Sequence, residues 1–231
     1  MGGETVPDDP AGLATVELLG ALAYGQLRAV GAAARLIAVA PDARAADQVT
    51  EVVAHELAAY RQLRDHLADR TELPTAVMDR QKPHFDAYFD RAPLDDWLGA
   101  SVFYALGLPM ATDFANAIAP VLEQRTATVV TDAIARRDRF ERGAIEQLAE
   151  QLVDDDARER ARHLAADLLG RALTSYQAAV SDTDALSVLL AASDDDDRSA
   201  ERRVKELAME VLGGHRRRTI ELGLENIDDV R

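Results

Sequence analysis

Four polar side chains stand where the sequence calls for apolar ones. From about Leu13 to Val39 the residues Val16, Leu19, Ala23, Val30, Ala33 and Ile37 recur at helical three-four spacing, and Gln26 takes the step between Ala23 and Val30. From about Ala43 to Asp69 a second stripe holds Val52, Val53, Tyr60 and Leu63, with Glu56 among them. Asp113 continues the stripe Val102, Leu106, Met110 and Ala117, and Asp132 falls on the inward side of the segment that follows Pro120. A buried carboxylate must be paired, hydrogen-bonded, protonated or bound to a metal. Carboxylates gathered from several helices ligate hard, oxygen-seeking cations. A histidine three residues after a carboxylate would add a nitrogen ligand from the same helix face. Here Ala59 follows Glu56 and Ala135 follows Asp132 at that spacing. The candidate metal ligands are therefore Glu56, Asp113 and Asp132, with Gln26 beside them. Such a set suits one divalent ion such as magnesium, calcium or manganese, or no metal at all, with Gln26 hydrogen-bonded to an acid.

Elements that would bring these groups together are helices. No stretch shows the sustained period-two alternation of a strand. Pro41 ends the first helix, and the second leads into a connector punctuated by Pro74, Pro83 and Pro93, with a short helix around "AVMDRQKPHFDAYFD". A third helix spans about Leu94 to Ala119, with Pro109 inside it as a bend or a freed carbonyl. A fourth runs from about Val121 to Leu152, a fifth from about Ala157 to Val180, and a short and a last helix follow, with Gly213–Gly214 a possible interruption. Residues 1–12 read as a loose tail and 13–231 as one helical domain, with a core bundle to about 152 and additional C-terminal helices over about 155–224. The plan is helix pair, one crossover, helix pair, then further helices: an all-α four-helix bundle. Residues equidistant from the turn of an antiparallel hairpin lie side by side. On that count Gln26 meets Glu56, Asp113 meets Asp132, and all four meet at mid-bundle.

Bulk composition narrows the function classes. The chain of 231 residues is 48% hydrophobic, enough for a sizeable core, and has no cysteine, so disulfides, thiolate metal sites and a cysteine nucleophile are excluded. The formal net charge of −15 disfavours a nucleic-acid partner, whose phosphates call for a basic face. Basic runs at 136–142 and 215–218 read as solvated helix faces. No basic, apolar leader opens the chain and no apolar run reaches membrane-spanning length, so a cytoplasmic protein is expected. No phosphate loop, dinucleotide fingerprint, nucleophile elbow or H-E-x-x-H motif is present.

The stretches "ELLGALAYGQLRA" (17–29), "HELAAYRQLRDHLA" (55–68), "DDWLGASVFYALGLPMATDFANAIAPVLE" (95–123), "VVTDAIA" (129–135), "ADLLGRALTSYQ" (166–177) and "GGHRRRTIELGL" (213–224) resemble the actinobacterial ferritin-like proteins similar to tRNA-(2-methylthio-N6-isopentenyladenosine) hydroxylase. The resemblance covers nearly the whole chain and keeps the order of elements. It implies a ferritin-like bundle in which each hairpin supplies a carboxylate and then a carboxylate-x-x-His to two irons. Carried over, the first carboxylate falls on Gln26, the first pair on Glu56 and Ala59, the next carboxylate on Asp113 and the last pair on Asp132 and Ala135. Both histidine positions are alanine and one acid is an amide. His55 points away around the helix from Glu56. The resemblance thus implies a bundle whose di-iron site is lost, non-catalytic, with an assembly, partner- or ligand-binding role and a homodimer as its assembly. The alternatives are a non-haem iron hydroxylase, and a binder of one divalent metal ion or of a small molecule in the space left by the histidines. If the four positions face one centre, restoring Glu at 26 and His at 59 and 135 should confer iron binding.

Overall fold

The computed structural model describes residues 9–135, 138–192 and 199–225, without the side chains of 134, 135, 138 and 139. Among the described residues there is no strand. Helix α1 spans Pro10–Val39 and α2 spans Ala43–Ala68. Asp9 caps α1 by accepting from the Ala11 amide, and Pro10 at the first helical position starts it, so the helix begins within the expected tail. Only Ala40, Pro41 and Asp42 separate α1 from α2, and Asp42 caps α2 through the Ala45 amide at 2.8 Å. So short a link forces the two long helices into an antiparallel hairpin, the most extensive helix pairing among the described residues.

The crossover carries two short helices where the sequence suggests one: α3, Pro74–Arg80, and α4, Lys82–Asp90. Pro83 separates them, since a proline sits comfortably only in a helix's first turn. The third helix of the bundle is α5, Trp97–Val102, followed by a π-turn over Phe103–Gly107 and by α6, Pro109–Ile118. Pro109 has no N–H and its ring collides with the carbonyl four residues back. The chain resolves this by widening: the Leu108 amide reaches the Phe103 carbonyl, five residues away, at 3.0 Å. Proline then opens α6 instead of breaking a helix.

The fourth helix is described in two parts, α7 (Gln124–Ala135) and α8 (Asp138–Gln151). It packs on α2 and α6 through α7 and on α5 and the π-turn through α8. Three further helices complete the fold: α9, Asp155–Asp182; α10, Ala185–Ala192; α11, Ala200–Glu221. Helix α9 packs on α4, α5 and the π-turn, α10 on α1, and α11 on α6. The possible interruption at Gly213–Gly214 does not occur; α11 continues through both. The core fills with Leu19, Leu36, Leu63, Leu67, Val102, Phe103, Leu106, Ile118, Val130, Leu148 and Leu168, all fully buried. Residues 97–121 are long and apolar enough to cross a bilayer, but 67% of that window is buried inside the bundle, as a core helix must be.

Candidate functional site

Antiparallel pairing brings Gln26 of α1 against Glu56 of α2, as the hairpin geometry requires. The Gln26 amide donates through Nε2 to Glu56 Oε2 and lies 3.4 Å from the Glu56 backbone carbonyl. Both side chains are buried, Glu56 to 2% exposure. Ala59 is also buried, one turn further along the same face. An amide can donate where a carboxylate cannot. The contact between the first two positions is therefore a direct hydrogen bond from an amide to an acid.

The other two candidate ligands depart from expectation. Asp113 lies on α6 and its carboxylate faces α11. Arg218 grips it with both guanidinium nitrogens, Nη1 to Oδ1 at 3.2 Å and Nη2 to Oδ2 at 2.5 Å. Both partners are largely buried, with side-chain exposures of 13% and 16%. The approach is possible because residue 214 is glycine: a Cβ there would overlap the Asp113 carboxylate. Asp132 is exposed on α7. Thr126, Val130 and Ala133 take the inward positions, and Thr126 Oγ1 lies 3.1 Å from Nε2 of the buried His66 of α2. The inward phase of α7 is thus one residue away from the expected one, as its packing on α2 and α6 sets it. The expected meeting of four polar groups reduces to the Gln26–Glu56 pair, and the side chain of Ala135 lies outside the described residues.

Two buried histidines are set by the same packing. Burial, followed by the positive charges of Arg70 and Arg125, holds His66 below the ordinary histidine range. Burial also lowers His215, against the hydrogen bond its Nδ1 makes to the Leu106 carbonyl at 3.3 Å. That contact joins α11 to the π-turn.

Next to Gln26 the interior opens. A cavity of about 230 Å³ lies between α1, α4, α6 and α9, under α10 and α11. Its walls are chiefly apolar, with Leu22, Phe85, Met110, Phe114, Leu169 and Leu173 among them, and Gln26 forms part of the wall. The space expected at Ala59 is not where it is found: Leu63, one turn on, reaches the cavity and Ala59 does not. Sequence reading missed Arg218, Gly214 and Tyr88, the last a buried wall residue of the crossover. No local pattern marks any of them, since each matters through a partner distant in the chain.

A family profile described as a ferritin-like domain of actinomycetes matches residues 12–193, well over half of the chain. The chain belongs to that family. No curated protein matches it. The ferritin-like bundle, its single crossover and the added C-terminal helices are all as the sequence leads one to expect.

The di-iron centre that the ferritin-like fold can house does not fit the residues present. Of the positions carried over for ligands, one is an amide bonded to Glu56, one is a carboxylate saturated by Arg218, one faces solvent and Ala59 has no ligand atom. Among the described residues no group of three or more histidines and acids converges on a point.

Proposed function

We propose that this chain is a non-catalytic ferritin-like bundle that works by holding a small apolar molecule in its interior. Gln26 carries the proposal. It stands at the first carboxylate position, donates to Glu56, and with its flank lines the cavity. An amide there donates to the acid where a carboxylate could not, and the cavity beside it is chiefly apolar. The likeness to the tRNA-modifying hydroxylases then concerns descent of the bundle, and the same stretches that carry it also carry the altered ligand positions. Binding of RNA is disfavoured by the net charge of −15. Arg218, in the last basic run, is committed to Asp113.

Metal analysis of protein purified from cells grown with added iron and manganese tests this reading. Substoichiometric metal and no iron-dependent absorption are expected. Two irons per chain would sink it and favour the oxygenase alternative.

A further inference from the structure

Most of the large polar side chains at the cavity have a partner among the described residues. Gln26 bonds Glu56, Gln81 donates to Glu17 at 2.9 Å, His84 faces Asp182 at 3.8 Å, and Tyr176 Oη donates to the Val204 carbonyl at 2.8 Å. Tyr88 differs. It is 9% exposed, it lines the cavity, and its Oη is buried with no hydrogen-bond partner among the described residues. A buried hydroxyl without a partner is costly and calls for a reason.

The surroundings hold that hydroxyl in place. Phe89 packs edge-on against the Tyr88 ring at 5.4 Å and Phe103 lies tilted against it at 5.9 Å, so the ring is fixed. Oη lies against Gly107, the last residue of the π-turn: a Cβ at that glycine would stand 2.8 Å from it. Gly107 and Tyr88 both form cavity wall. The widened turn forced by Pro109 and the lack of a side chain at 107 thus leave a directed hydroxyl beside an apolar chamber. π-Turns of this kind recur at functional sites.

We propose that Tyr88 Oη is the polar anchor of a ligand site in this cavity, and that the ligand is an uncharged, mainly apolar molecule bearing one carbonyl or hydroxyl oxygen. The proposal rests on the binding role above and adds the chemistry of the ligand. A neutral phenol donates to a carbonyl oxygen, and apolar walls penalise a charged head group. The volume exceeds the roughly 150 Å³ that accommodates benzene, so a ring with a short side chain fits. The half-buried Leu22, Phe114, Leu169 and Leu173 at the wall offer the way in.

The test is calorimetric titration of the full chain with acetophenone and with isopropylbenzene, which share a shape and differ in the carbonyl. Both should bind the wild-type chain. Tyr88→Phe should cut acetophenone affinity relative to isopropylbenzene by about three- to tenfold, the value of one hydrogen bond. The variant should fold at least as stably as wild type, since it removes only the unpartnered hydroxyl. Ala172→Phe, which fills the chamber from α9, should abolish binding of both. An unchanged ratio in Tyr88→Phe would overturn the anchor while leaving the binding role standing. Binding that survives Ala172→Phe would place the ligand elsewhere and overturn the site. Binding of neither molecule to wild type would overturn both the site and the binding role.

Discussion

Glu56 sits in the core with Gln26 as a hydrogen-bonding neighbour. At 2% exposure an ionised carboxylate needs donors, and Gln26 supplies one from the facing helix. Gln26→Glu would replace the donor that faces Glu56 with a second acid. Stability should fall by roughly 1–3 kcal/mol at neutral pH, and the loss should shrink as the pH is lowered and one carboxyl takes a proton. Denaturant unfolding at several pH values measures this. Repair of the whole ligand set is a harder demand. Gln26→Glu, Ala59→His and Ala135→His together should still leave the protein without two irons. Asp132 is exposed and Asp113 is committed to Arg218, so only the first hairpin regains its ligands. Iron quantification after anaerobic loading decides the point, and two irons per chain in the triple variant would mean that the second hairpin also faces the centre.

Contacts between elements turn on small residues. Gly214 lets α11 approach α6 closely enough for Arg218 to grip Asp113, whereas Gly170, on the exposed side of α9, has nothing near it. Both glycines lie inside helices, where alanine is intrinsically better by about 0.5–1 kcal/mol. Gly170→Ala should therefore raise the unfolding free energy by roughly that amount. Gly214→Ala should lower it, by a few kcal/mol on the order expected when a largely buried ion pair is forced apart. Opposite signs for one chemical change, read by thermal or urea unfolding, test the α6–α11 contact directly. The π-turn is the other joint. It absorbs Pro109, presents Gly107 to Tyr88 and receives His215 on the Leu106 carbonyl.

At the scale of the molecule, pH acts through His66 and His215. Burial lowers both in the folded state, so the unfolded chain binds their protons more readily. Their stabilising contribution is complete above the ordinary histidine pKa of about 6.5 and is lost as the pH falls below it. The wild-type melting temperature should drop through that acid window. His215→Gln should flatten the drop without removing the one from His66. An acid limb as steep in the variant as in wild type would show that His215 does not titrate with folding. The comparison must be made against wild type, because lowering the pH also relieves self-repulsion of a chain at −15.

What the sequence determined by itself is whatever depends on local periodicity and short links. The apolar stripes on α1 and α2 and the short link between them fix an antiparallel hairpin, and with it the meeting of Gln26 and Glu56. The proline-punctuated crossover and the four-helix plan followed from the same signals, and the ferritin-like family from the resemblance of the longer stretches. Tertiary structure alone decided the rest. Helix α7 starts after a tight turn and is short, so its rotation is set by packing on α2 and α6, which turns Asp132 outward and Thr126 and Val130 inward. Asp113 finds its partner more than a hundred residues away on α11, and Tyr88 gains its place from a π-turn and a glycine on another element. A helical stripe reports which way a residue faces within its own helix. It does not report which of several neighbouring helices that face will meet, and that meeting decides whether a buried polar group is a ligand, half of an ion pair or an anchor awaiting a ligand.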